Sequence, residues 1–193
     1  MNKAKKIFSV LAVIAILLSA IPIVPVLAET YSGKCGENAI WELNSESGAL
    51  TISGYGDMFD YERNDDAPWR GRGTIKSIVV ESGITNIGKN AFAFCNMGTD
   101  ITLPESITSI GDYAFYGSRF SRFVIPDSVK SIGHCAFSSC SNLYSINIPD
   151  SVKSIGHCAF SSCSNLYSIN IPEGIKELDE PFSDCGVQRL TIN

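Results

Sequence analysis

Two dipeptides, His134-Cys135 and His157-Cys158, hold both histidines of the chain and two of its seven cysteines. They lie 23 residues apart, inside two runs that are identical letter for letter. Ile125–Asn147 and Ile148–Asn170 both read IPDSVKSIGHCAFSSCSNLYSIN. If the runs stack, two imidazoles and two thiols come together, a ligand set that suits zinc. Two features argue against it. Duplication produces the second pair without any demand for ligands, and successive residues point in different directions, so four such groups rarely converge. The reading is a solvated histidine column with no metal and no cofactor; His134, Cys135, His157 and Cys158 remain the one candidate metal set.

The acidic stretch Asp57, Asp60, Glu62, Asp65 and Asp66 is the next place where carboxylates gather. Its spacing matches no EF-hand loop, because Gly and Glu are missing at the required offsets, and it reads as a solvated loop. The interleaved Tyr55, Met58, Phe59, Tyr61 and Trp69 read as residues that seal the open end of a core. Gly54-Tyr55-Gly56 does not continue as a phosphate loop, and no G-x-S-x-G elbow occurs. A Ser or Cys nucleophile would need one of two histidines that are copies of each other. The chain therefore reads as no enzyme.

Cys95, Cys140, Cys163 and Cys185 each follow a Phe by three residues, and Ser118 holds that place once. Recurrence at one position reads as a small buried group stacked coil on coil. Neighbouring coils about 4.8 Å apart fall inside the Cα range of disulfides. The side chains of a ladder point in parallel, however, and the reading is reduced packing cysteines, with Cys35 standing apart. Seven is odd, so one thiol at least has no partner within the chain.

These residues sit in a repeat, and the repeat must position them. A short alternating trio opens each unit: Ile78-Val79-Val80, Ile101-Thr102-Leu103, Phe123-Val124-Ile125, Ile146-Asn147-Ile148, Ile169-Asn170-Ile171 and Leu190-Thr191-Ile192. The outer two residues face one side and the middle one the other, the period of a half-buried strand. Proline usually follows and ends the ladder. Next come an apolar pair such as Val129 and Ile132, a Gly, and then Ala136-Phe137 with Cys140 as a short helical or 3₁₀ return. One unit cannot bury its own apolar side, so each must lid its neighbour. The period fits a leucine-rich repeat of about 20–29 residues. A right-handed parallel β-helix is the rival, and the Leu143-x-x-Ile146-x-Ile148 spacing favours the leucine-rich reading.

The unit I-P-x-S-V-x-x-I-G-x-x-A-F-x-x-C-x-x-L resembles the BspA-type leucine-rich repeat of bacterial surface and secreted proteins. Cys35-Gly36, Trp41-Glu42-Leu43, Leu50-Thr51-Ile52-Ser53-Gly54 and Ala67-Pro68-Trp69 resemble the segment that precedes the repeats there. The resemblance runs from about Tyr31 onward. It implies an α/β-type repeat solenoid with short parallel strands, short return helices or turns and a small N-terminal β cap. The chain departs from the general leucine-rich pattern, in which Asn or Cys follows the strand; Ser106, Ser128 and Ser151 lie near that turn. The resemblance also implies binding, often adhesion, without naming a partner.

Lys3, Lys5 and Lys6, the apolar run Ile7–Ile21 and the Val26-Leu27-Ala28 ending read as a secretory signal peptide cleaved after Ala28. The expected organisation is signal peptide 1–28, β cap 29–75, and a solenoid of about five 22–23-residue coils over 76–193. After cleavage, twelve basic residues face twenty acidic ones, a net charge of −8. That balance argues against nucleic acid and against anionic lipid as partners, and no membrane contact is expected after cleavage.

Alternation places the outward residues of successive strands on one surface: Ser77 and Val79, Asp100 and Thr102, Arg122 and Val124, Ser145 and Asn147, Ser168 and Asn170, Arg189 and Thr191. Tyr144 and Tyr167 stack at its edge, where they either anchor a partner or shield the strands. The expected binding set is Arg122, Val124, Tyr144, Ser145, Asn147, Tyr167, Ser168, Asn170 and Arg189. The expected function is recognition of an extracellular protein or cell-surface ligand by a secreted or surface protein. The alternative is self-assembly through the strand Leu190-Thr191-Ile192, because an unprotected edge invites pairing.

Overall fold

A computed structural model describes residues 29–95 and 101–192. The expected signal peptide at 1–28, Asp100 of the expected outer face and Asn193 lie outside the described residues. The described chain opens with an antiparallel meander of β1 (Thr30–Lys34), β2 (Gly36–Asn44) and β3 (Ala49–Met58). Trp41 and Leu43 on β2 and Leu50 and Ile52 on β3 alternate inward and are buried. The β2–β3 turn is set by Asn44, whose Oδ1 accepts from the amides of Glu46 at 3.1 Å and Ser47 at 2.9 Å. Gly48 closes it with φ of 71°, where a Cβ would meet the Thr74 carbonyl at 2.5 Å.

Two parallel ladders start from β3, which is long enough to serve both. Ala49–Ile52 pairs with β4 (Ser77–Val80), and Gly56–Asp57 pairs through an irregularity with β5 (Ile84–Ile87). The first ladder continues from β4 to β6 (Ile101–Thr102), and then in a separate sheet through β8 (Arg122–Val124), β10 (Ser145–Asn147), β12 (Ser168–Ile171) and β14 (Arg189–Ile192). The second runs from β5 through β7 (Ser109–Ile110), β9 (Ser131–Ile132) and β11 (Ser154–Ile155) to β13 (Glu177–Leu178). Every partner in these ladders is parallel and one coil away, so the chain is a repeat β-solenoid of about five turns.

Among the described residues no segment is helical, which corrects the expectation of short return helices. The backbone shows why. Cys135 and Ser139 sit in the left-handed region at φ of 50° and 60°, as do Cys158 and Ser162 at 55° and 57°. Between them, alternate amides point to different places. Ser138 donates to Cys135 at 3.0 Å and Cys140 to Phe137 at 3.2 Å, tightening turns within the coil. The amides of Cys135, Phe137 and Ser139 instead reach the next coil, at His157, Ala159 and Ser161, over 3.0, 2.8 and 2.7 Å. A helix would use all of these amides internally. Here half of them bind the coils together, a third ladder built from turns.

The core lies between the ladders. Phe92, Phe115, Phe137 and Phe160 are fully buried and stack with centroids 5.6, 5.3 and 5.3 Å apart. Each ring removed from water contributes about 2–3 kcal/mol before stacking is counted. Trp69 begins the stack at 5.6 Å from Phe92, with Trp41 edge-on behind it at 6.0 Å, so it does close the core on that side. Met58 is buried and Tyr61 packs against the core, but Tyr55 is 63% and Phe59 40% exposed and neither seals it.

The serine of each Pro-x-Ser turn has a specific task. Ser106, Ser128 and Ser151 donate their hydroxyls to the carbonyls of Ile84, Ile107 and Val129 at 2.6, 2.5 and 2.6 Å. Each bond spans one coil boundary.

Candidate functional site

All nine residues of the expected binding set meet on one surface, the outer face of the sheet β8–β10–β12–β14. The register aligns Arg122, Ser145, Ser168 and Arg189 in one row, and Val124, Asn147, Asn170 and Thr191 in the next. Phe123, Ile146 and Ile169 between them are buried. Asn170 Nδ2 donates to Asn147 Oδ1 at 3.4 Å, linking two rungs. Tyr144 and Tyr167 form the border, their rings 5.7 Å apart and 5° from parallel, and the Tyr167 amide donates to the Tyr144 carbonyl at 2.9 Å. Tyr144 is 58% and Val124 78% exposed, whereas Tyr167, Ser168 and Asn170 are half-buried. Ser77, Val79 and Thr102 lie on β4 and β6, in the other sheet, so they are not continuous with this face.

The histidine column exists, but its four candidate ligands do not make a metal site. His134 and His157 stack with centroids 5.5 Å apart and planes 7° from parallel. Among the described residues no three His, Cys, Asp or Glu side chains are placed to hold a metal ion. Two carboxylates unnoticed in the sequence flank the column. Asp112 Oδ1 accepts the His134 amide at 2.8 Å, and Asp179 Oδ2 lies 3.5 Å from His157 Nδ1. With the outward Ser109, Ser131 and Ser154 they line an open groove of about 520 Å³ along the second ladder. The recurring Ser-Ile-Gly triplets at 109–111, 131–133 and 154–156 were the signal for that ladder.

The acidic loop disperses its charges. Asp57 accepts from the Thr85 hydroxyl at 2.5 Å, Asp60 from the Lys89 amide at 2.6 Å, and Asp66 from the Arg63 amide at 3.0 Å. Glu62 lies 3.4 Å from Lys89 Nζ and Asp65 3.7 Å from Arg63. Each carboxylate has its own partner, although Glu62 and Asp65 both line an open cavity of about 570 Å³ with Lys89 and Tyr113.

All seven cysteines are unpaired. Cys140 Sγ donates to the Phe115 carbonyl at 3.2 Å and Cys163 Sγ to the Phe137 carbonyl at 3.1 Å, each one coil back. Hydrogen bonding with Cys140, reinforced by burial, pushes Cys163 up to about 12. Burial pushes Cys35 to about 12 and Cys95 to about 11. Nucleophilic chemistry is closed to such groups at neutral pH.

The profile of the BspA type leucine-rich repeat region matches residues 69–192 in six copies. Among solved structures, a leucine-rich repeat protein from Bacteroides ovatus superposes with a TM-score of 0.54 at 21% identity, over 86% of this chain and 52% of that one. The pneumococcal vaccine antigen PcpA superposes with a TM-score of 0.52 at 17% identity, over 84% of this chain and 50% of that one. The chain thus spans about half the length of these two proteins, and at such identities the likeness is one of fold. No protein of curated function matches it. The aromatic stack begins at Trp69, the residue where the matched region begins, and its Pro-x-Ser turns and Phe-x-x-Cys returns recur within that region: the chain belongs to the BspA-type leucine-rich repeat family.

Proposed function

We propose that the chain is a secreted or cell-surface recognition module that binds an extracellular protein or cell-surface ligand without catalysis. The face β8–β10–β12–β14 is the surface it uses. The observation that carries this reading is the parallel pair Tyr144–Tyr167 beside a polar, hydrogen-bonding row and an exposed Val124. Aromatic side chains of this kind present a large contact area with little rotamer freedom to lose, which is why they dominate binding hot spots. Arg122 and Arg189 at opposite ends of one row add bidentate donors. Export rests on the basic and apolar segment at 1–28, and surface placement on the family.

The test is a screen of extracellular proteins and glycans for binding, followed by the Tyr144→Ala, Tyr167→Ala double variant. Loss of about tenfold or more in affinity is expected, since each hot-spot ring carries upward of 1 kcal/mol. A His134→Ala, His157→Ala control is expected to bind normally. Equal loss in both variants, or no ligand at all, removes the proposal.

A second reading is self-association through β14, which pairs with β12 and exposes all four of its residues, Leu190 at 54% and Ile192 at 64%. An edge of this kind favours strand addition. Light scattering after size exclusion separates the readings: mass that rises with concentration, and is abolished by Thr191→Pro, supports assembly.

A further inference from the structure

The ladder thiols Cys140, Cys163 and Cys185 are spent as donors to carbonyls, but Cys135 and Cys158 are not. They occupy the same place in the two identical coils, one rung apart, and both are partly exposed beside the histidine column. The Cys135 amide donates to the His157 carbonyl at 3.0 Å, which fixes the two coils in register at this point. In-register neighbours lie about 4.8 Å apart, inside the Cα range of about 4.4–6.8 Å that a disulfide spans. The parallel side chains of the buried ladder cannot use that spacing, but these two thiols are partly exposed and hydrogen-bond to each other. His134 Nε2 lies 3.3 Å from Cys135 Sγ, so a base stands against the thiol.

We propose that Cys135 and Cys158 are a modification site: a dithiol that closes to an inter-coil disulfide with a small or protein disulfide as oxidant. His134 takes the Cys135 proton, and the thiolate attacks one sulfur of the incoming disulfide, expelling its other half as a thiolate. The expelled thiolate takes that proton from the imidazolium. Cys158 then loses its proton to solvent, and its thiolate attacks the Cys135 sulfur of the mixed disulfide and expels the second half, which solvent protonates. The protein loses two protons and two electrons, and the oxidant leaves as two thiols. Burial holds the Cys135 thiol above its ordinary value, the nearby Cys158 thiol and Asp112 add to this, and the Tyr113 hydroxyl opposes it. The first attack therefore depends on the imidazole as base.

The bond would tie the two coils at their return segments, where the left-handed backbone already strains them, and would enclose a loop of 23 residues. The buried ladder offers no such route. Cys140 and Cys163 are fully buried, and each already serves a carbonyl.

The experiment treats the reduced full chain with oxidised glutathione, quenches with acid and digests with trypsin without reduction. The expected product joins Ser131–Lys153 to Ser154–Lys176, and fragmentation places the bond at Cys135 and Cys158. A Cys140→Ser variant keeps the cross-link and a Cys135→Ser or Cys158→Ser variant loses it. The oxidised wild type melts at a higher temperature than the reduced form, and the Cys135→Ser variant shows no such gap. Fragmentation of the wild-type product locates the bond even where a variant fails to fold. A bond mapped to Cys140–Cys163, or two free thiols after prolonged exposure to the oxidant, overturns the proposal.

Discussion

Ser118 Oγ donates to the carbonyl of Phe92 at 2.8 Å, the bond that Cys140 makes to Phe115 at 3.2 Å and Cys163 to Phe137 at 3.1 Å. Ser118 is fully buried, and its hydroxyl also accepts the Cys95 amide at 3.1 Å. The position therefore asks for a small donor rather than a small hydrophobe. Ser118→Cys is expected to be close to neutral. Ser118→Ala removes one partner from each of the Phe92 carbonyl and the Cys95 amide, leaves them only their 3.3 Å bond to each other, and is expected to destabilise by about 1 kcal/mol. Urea unfolding of the two variants checks this; an alanine variant as stable as the cysteine variant would show that packing alone decides the position.

The left-handed residues of the return give a second expectation. Ser139 has φ of 60°, and Gly117 stands at the equivalent place with φ of 66°. A side chain in this region costs about 1–2 kcal/mol, and glycine escapes that cost at the expense of a freer unfolded chain. Ser139→Gly is expected to gain roughly 0.5–1 kcal/mol as a net result. The reverse change at Gly117 is expected to destabilise, because its Cβ would stand 2.6 Å from two ring carbons of Phe94. Thermal melts of the two variants should move in opposite directions. Movement in the same direction would refute the strain argument.

The same residues mark where sequence reading stops. Ile146 and Ile169 inward, Asn147 and Asn170 outward, follow from alternation alone, and the Tyr144–Tyr167 stack follows from the period. The return segment does not. Ala136, Phe137 and Cys140 have a spacing that a helix also satisfies, and Cys135 and Ser139 carry no glycine to announce a left-handed backbone. Only cross-coil hydrogen bonds decide between helix and turn, and those exist only once coils are stacked. Two-residue strands such as Ser131–Ile132 are likewise too short to show a period. Asp112 and Asp179 reach the histidine column through the stacking, from coils whose letters differ from the duplicated ones.

Raised thiol values predict the response to alkali. Cys35 and Cys163 stand at about 12 in the folded chain against an ordinary 9.0. Above about pH 9 the unfolded chain releases these protons while the folded chain keeps them, so unfolding gains and stability falls as pH rises towards 12. Below 9 both states are protonated and the contribution is complete. Urea midpoints are expected to hold between about pH 7 and 8 and to drop steadily above 9. Replacing Cys35 by Ala should flatten the decline, and an unchanged slope would remove buried thiols as its cause.

The identical 23-mers make coil number itself a variable. In a solenoid each coil contacts only its neighbours, so stability is close to a sum of coil and interface contributions. Deleting Ile148–Asn170 joins Asn147 to Ile171, and every ladder then meets the register it already has: β10 would pair β14 as β12 does now, and the Phe137 ring would stack on Phe182. The Ser, Cys and Phe ladders each lose one rung, and no donor is stranded. The shortened chain is expected to unfold in a single transition, at a lower midpoint and with a smaller dependence on denaturant in proportion to the surface lost. Circular dichroism against urea reads both quantities. Aggregation, or loss of the transition, would mean that the duplicated coil carries a contact that its copy cannot replace.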